Sequence, residues 1–200
     1  MHGLINRSIQ CFLRDTYGAG CWADVARQAR LGFDSFEPML SYDDALTDAV
    51  LDVASARLGR PRDTVLEDLG IYLVSHPNVQ RLRRLLRFGG VGYADFLHSL
   101  EDLPGRARLA LPDVDLPQLE LTDHSATEFT LVCRSGLRGA GHVVAGILRA
   151  MADDYGALSL VEHRGVATGT PGGEVIGITL AETAFTPGRR FDLALESGAS

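Results

Sequence analysis

Chemistry in this sequence would have to come from its histidines, cysteines and paired carboxylates. The six histidines stand at positions 2, 76, 98, 124, 142 and 163. No two are spaced i, i+4 and there is no H-E-x-x-H, the arrangements that put two imidazoles on one helix face around a metal. Spacing therefore points to no dedicated metal site. Cys11, Cys21 and Cys133 are odd in number and lack a C-x-x-C spacing, which suits reduced thiols better than a disulfide framework or zinc. No G-x-S-x-G nucleophile elbow occurs. Residues 165–173, GVATGTPGG, are glycine-rich but have no following Lys-Ser/Thr and lead into an expected strand, so they read as a hairpin turn and not as a phosphate cradle. Asp43-Asp44 and Asp153-Asp154 are adjacent carboxylates, and sequence neighbours do not face each other on a helix. Both read as solvated helix ends. With no nucleophile, base and orienting group to name, the expectation is a protein without catalytic activity.

The elements that would position any site divide the chain in two. Leu4, Ile5, Ile9, Phe12 and Leu13 recur at helical spacing, Gly18 and Gly20 interrupt, and Trp22, Val25 and Ala26 resume. Ser41, Asp43 and Asp44 announce a helix start, with Val50, Val53, Ala54 and Leu58 as its apolar stripe up to Gly59 and Pro61. Thr64 and Glu67 read as a capping box before Leu69, Ile71, Tyr72 and Val74, a helix that Gly70 weakens. Leu82, Leu85 and Leu86 lead to a Gly89-Gly90 corner, and Tyr93, Phe96, Leu97 and Leu100 predict an amphipathic helix ending near Leu103-Pro104. Beyond Pro104 the period changes to two. Leu119 with Leu121, then Phe129 to Cys133, then 157–163 and 174–181 read as strands, the last two joined by a turn at 168–173. A strongly apolar helix over 138–153 separates the two pairs.

The predicted fold class is therefore α+β, an N-terminal helical half followed by a helix packed on a small antiparallel sheet. Two hundred residues at 46% hydrophobic composition suffice for one core, expected over 1–185, with a polar, frayed tail over 186–200. A net charge of -7, with only one short arginine-rich stretch at 81–87, argues against nucleic acid or an anionic membrane as partner. Arg7, Arg14 and Asp15 break up the first residues too often for a signal peptide or membrane span, so the expected location is the cytoplasm.

The opening MHGLINRSIQCFLRDTYGAGCWADVARQARL, with its M-x-G-x-x-N start, Tyr17-Gly18 and Trp22, resembles heme nitric oxide/oxygen-binding (H-NOX) domains, including that of the soluble guanylate cyclase beta subunit. Tyr42-Asp43-Asp44, Leu69-Gly70-Ile71-Tyr72, the run FLHSLEDL from Phe96 to Leu103, Leu116-Pro117 and the helix VVAGIL from Val143 to Leu148 follow in the same order, covering about residues 1–185. The resemblance implies a non-enzymatic sensor of this fold. It also implies a b-type heme held by one proximal histidine and by a Y-x-S-x-R motif at the propionates. Here the residue at the histidine's place is Pro104, and the propionate motif corresponds to Cys133-Arg134-Ser135-Gly136-Leu137, matching only at Ser135, with Arg138 one position along. Val143 stands where oxygen-binding members have a distal tyrosine. Pro117, Cys133, Ser135, Arg138, Val143 and His98 are thus the candidate cofactor-binding residues.

Three readings follow. In the first, heme is absent or bound unusually, and the chain regulates a separate signalling enzyme, such as a diguanylate cyclase or histidine kinase. In the second, a substitute ligand holds heme and the chain senses nitric oxide. His98 is one candidate, although six residues before Pro104 on one helix is a rotation of about 240°. Cys133 is another, against the plainer reading of a small buried strand residue. His124 and His142 could border the pocket. In the third reading, the cavity takes another apolar or tetrapyrrole ligand.

Overall fold

The computed structural model describes residues 1–108, 114–166 and 173–181. The tail beyond 185 lies outside them, as does the expected 168–173 turn apart from Gly173, which opens the last strand. Eight helices and four strands are seen among the described residues: α1 (Gly3–Tyr17), α2 (Ala19–Gln28), α3 (Asp44–Leu58), α4 (Arg62–Ser75), α5 (Gln80–Arg87), α6 (Tyr93–His98), α7 (Leu103–Arg108), β1 (Gln118–Asp123), β2 (Glu128–Arg134), α8 (Ala140–Tyr155), β3 (Ser159–Val166) and β4 (Gly173–Leu180). The strands form one antiparallel sheet in the order β1-β2-β4-β3. The α+β architecture read from the two periodicities is the observed one.

Local chemistry accounts for the boundaries. Gly18 takes a positive φ of 92°, unfavourable for residues with a Cβ, and so turns the chain between α1 and α2. Asp43 caps α3 by accepting from the Ala45 amide at 2.9 Å, and Gly59 closes that helix in the left-handed region. Two boundaries differ from expectation. Thr64 does not cap α4, because Pro61, with φ already at -54°, takes the N-cap position three residues earlier, without a side-chain cap. Pro104 does not end a helix. The preceding one stops at His98, and Pro104 sits in the first turn of α7, where its missing N–H leaves no helical hydrogen bond unmade. His98 and Pro104 are consequently on different helices.

Side chains collect in two cores. One joins α1 to α4 through Ile9, Phe12, Leu13, Trp22, Val25, Val50, Leu51, Leu66 and Leu69. The other packs Leu86, Phe96 and Leu97 with Leu148 and Met151 of α8 and with Leu131 and Ile176 of the sheet. The cores meet along α4 and α8. There Gly70 and Gly146 bring the helix backbones so close that a Cβ on Gly70 would lie 2.1 Å from the Val143 carbonyl, and one on Gly146 the same distance from the Glu67 carbonyl. Asp154, expected in solvent, is buried, because Arg83 and Arg87 of α5 reach across to its carboxylate.

Candidate functional site, an apolar cavity between the two cores

Where the two cores meet they leave a cavity of about 280 Å³. That is close to the lower end of the roughly 300–1,000 Å³ usual for small-molecule pockets. Each helix contributes residues three or four apart, the spacing that aligns side chains on one helix face. Leu4 and Ser8 come from α1, Leu69 and Leu73 from α4, Leu82, Leu85 and Leu86 from α5, and Ala140, Val143, Val144, Ile147 and Leu148 from α8. Leu100, Leu103, Pro104, Val114, Leu116, Pro117, Leu119 and Leu137 complete the apolar wall. Polar atoms are few. Ser8 donates to the Leu4 carbonyl at 2.9 Å and Ser135 accepts from the Leu137 amide at 3.2 Å, so both hydroxyls are engaged locally, and Asp115 is exposed.

Of the residues nominated from sequence, Pro117, Ser135 and Val143 line this cavity, as does Pro104. The other three face elsewhere. His98 is half exposed and pairs with Asp123 at 2.8 Å, a hydrogen bond that raises its pKa from the ordinary histidine value. Cys133 is buried in the sheet core, and burial, helped by the nearby Glu174 carboxylate, pushes its thiol up to about 12. It is thus a neutral thiol at physiological pH. Arg138 points outward, 3.8 Å from Asp52 and 3.9 Å from Asp48. His124 is exposed and bonded to Thr130, and His142 stacks on His163 at 3.8 Å, away from the cavity wall.

The lining can be set against what a heme requires. An apolar wall of leucine, isoleucine and valine suits the faces of a porphyrin. Iron in addition needs an axial nitrogen, sulfur or phenolate donor. Among the described residues the wall presents no histidine, cysteine, methionine or tyrosine, and no arginine to meet a propionate. The walls fit such a group and the donor set does not.

Fold and cavity together define an α+β domain with an apolar pocket between a helical half and a sheet-bearing half. A model of the haem-NO-binding (HNOB) family matches residues 2–163, and the chain belongs to that family. It is similar to the soluble guanylate cyclase gcy-31 of Caenorhabditis elegans, 26% identical over 149 residues that make up 74% of this chain and 21% of that one. A second relative is soluble guanylate cyclase 89Db of Drosophila melanogaster, 23% identical over 82% of this chain and 24% of its own. The chain therefore spans about a fifth to a quarter of the length of these curated relatives. Its fold is that of the Fe(II) unliganded H-NOX protein from K. algicida, with TM-score 0.78, 16% identity and coverage of 93% of this chain and 100% of the other. The S. oneidensis H-NOX protein in the Fe(II)NO state gives TM-score 0.75 at 15% identity, covering 90% of this chain and 99% of that one. No helix among the described residues is long and apolar enough to cross a membrane.

The wall from α1 and α4 was missed in the sequence, as was a cluster of His142, His163 and Glu174. The first has a local signal only in Leu69 and Leu73, four apart on α4, with Leu4 on α1. The second gives no local signal, because three separate elements bring it together.

Proposed function

We propose that this domain is a non-catalytic regulatory sensor that works without an iron–histidine bond and acts through protein contact on a signalling enzyme of the diguanylate cyclase or histidine kinase kind. The observation that carries this reading is the presence of Pro104 in a cavity wall that offers no axial donor among the described residues. Proline has no lone pair to give iron. The trigger of such a domain would then be a change in what fills the cavity. A change there would shift the two cores across the close α4–α8 contact between alternative packings, and a partner would read that shift.

The test is an absorption spectrum of protein expressed with heme precursor, before and after hemin titration and then with nitric oxide. We expect no sharp Soret band from the wild-type chain. Pro104→His, which places an imidazole in the wall, is expected to gain a defined band that responds to nitric oxide. A sharp band in the wild-type protein that shifts with nitric oxide would overturn the reading. His98→Ala and Cys133→Ser are expected to leave the spectrum unchanged, since neither side chain reaches the cavity.

The almost wholly apolar wall also supports a second reading, in which the cavity holds an apolar organic ligand. Native mass spectrometry of freshly purified protein should then show a mass above that of the chain, and its loss on Leu148→Arg, which puts a charge into the wall. Identical masses before and after denaturation would count against this second reading.

A further inference from the structure

His142 immediately precedes Val143 of the cavity wall and faces the other way. Its ring stacks on that of His163 from β3, with centroids 3.8 Å apart and planes inclined by 20°. His163 Nε2 lies 2.8 Å from Glu174 Oε2 of β4. The sheet register explains the meeting. His163 is opposite Ile176, so Glu174 is its diagonal neighbour, on the same face, beside a bulge between His163 and Val166. Asp63, in the first turn of α4, brings a carboxylate oxygen to 3.6 Å from His142 Nε2. The three side chains from α8, β3 and β4 are largely covered, at 16–17% exposure, while Asp63 is open to solvent.

We propose that His142, His163 and Glu174 bind one divalent first-row transition ion of the zinc class, with Asp63 able to complete the donor set. Two imidazole nitrogens and a carboxylate match the ligand preference of such an ion, and the candidate ligand atoms already lie within 4.8 Å of one another. A tetrahedral shell with bonds of about 2.0–2.2 Å sets its ligands roughly 3.3–3.6 Å apart with each imidazole lone pair aimed at the ion, so on loading the two rings must swing out of their stack as the side chains draw in.

The surroundings favour the ligand form of the histidines. Burial, followed by the neighbouring His163, lowers the pKa of His142, and two stacked imidazolium rings would repel each other. The His142 ring makes no hydrogen bond among the described residues, so a metal displaces nothing from it. His163 accepts a long 3.3 Å contact from the Gly165 amide at Nδ1. A metal at Nε2 replaces the His163–Glu174 hydrogen bond with ligation by both groups, moves the ring proton to Nδ1 and gives up the Gly165 contact. Space is fixed on the α8 side by Gly141, where any Cβ would strike Glu174 and His163 within 2.9 Å. The N-terminal end of α8 disfavours a cation, and the two carboxylates offset it. Such an ion would tie α4 of the helical half to α8 and the sheet, so its binding would stiffen the contact across which the proposed signal passes. The site itself does not depend on how the cavity is used.

The experiment uses the whole chain freed of any affinity tag. Zn²⁺ is titrated in competition with a chromophoric chelator, and Co²⁺ absorption serves as a second readout. We expect one equivalent of tight Zn²⁺, Co²⁺ visible bands of low-coordinate type, and a rise of about 5 °C in Tm at saturating Zn²⁺. His142→Asn, His163→Asn and Glu174→Gln should each weaken binding at least tenfold and remove the Tm rise. Asp63→Asn should weaken it less, and His98→Asn not at all. Absence of tight stoichiometric Zn²⁺, or its survival in the His142→Asn and His163→Asn variants, would overturn the proposal. If a variant fails to fold, the Co²⁺ bands of the wild-type protein still decide, because imidazole and carboxylate ligation lacks the intense near-ultraviolet charge transfer that thiolates give.

Discussion

Gly70→Ala should destabilise this protein while Gly20→Ala stabilises it, although both replace a glycine inside a helix. By propensity alone both changes favour alanine, by about 0.5–1 kcal/mol at mid-helix Gly70 and by less at Gly20, the second residue of α2. Gly20 in α2 has nothing within 4 Å of the added Cβ, so it should show that gain. At Gly70 the same atom meets the Val143 carbonyl at 2.1 Å, the Ile147 amide nitrogen at 2.9 Å and the Gly146 Cα at 3.0 Å. These are backbone atoms and cannot rotate aside. α4 and α8 must separate, opening both cores along their shared seam. Overpacking of this kind costs roughly 1–3 kcal/mol, and the immobility of the obstacle puts Gly70→Ala near the top of that range. Gly70→Val and Gly146→Val should do worse still. Thermal denaturation of the variants measures the effect, with an expected Tm loss of roughly 6–12 °C for about 3 kcal/mol in a chain of this size. A Gly70→Ala variant as stable as Gly20→Ala would mean that the helices can part freely, and the seam would then be a poor conduit for any signal.

How Gly70 was read shows what the sequence can and cannot convey. Its cost to helix propensity is visible locally, whereas the benefit lies in Gly146, 76 positions away, and no periodicity connects them. The helical half, the two strand pairs and the α8 stripe were legible, because periods of 3.6 and 2 are written into neighbouring residues. Val143, Ser135 and Pro117 at the cavity were reached by resemblance of motifs and not by any local rule. His98 is the opposite case: no local signal marks the break at Ser99, so spacing alone puts it on one helix with Pro104, whereas its neighbour Asp123 comes from β1. The stacked histidines were hidden for the same reason, since the sheet register that unites His163 with Glu174 is set by the whole fold.

Asp154 supplies the second large effect. An acid in the last turn of a helix faces the negative end of the dipole, so in solvent Asp154→Ala would be neutral or mildly favourable. Here the carboxylate is 6% exposed, and Arg83 and Arg87 of α5 converge on it, the second at 3.6 Å. Arg87 also lies over the Tyr155 ring, 3.9 Å from its centroid. Removing the acid strands two guanidiniums that are 28% and 18% exposed. Breaking a buried pair costs roughly 3–5 kcal/mol, and the partial access of both arginines to water places this case near the lower end, at about 3 kcal/mol. The consequence is local as well as global. α5 bears Leu82, Leu85 and Leu86 of the cavity wall, and these ion pairs tie it to the C-terminal end of α8. Hydrogen exchange in Asp154→Ala should therefore quicken in α5 before it does in α1 or α3, and the double variant with Arg83→Ala should be less damaged than the sum of the two single changes. If Asp154→Ala instead alters stability by less than about 0.5 kcal/mol, the ion pairs contribute no more than the small gain at the helix dipole, and α5 is held to the cavity mainly by its leucines.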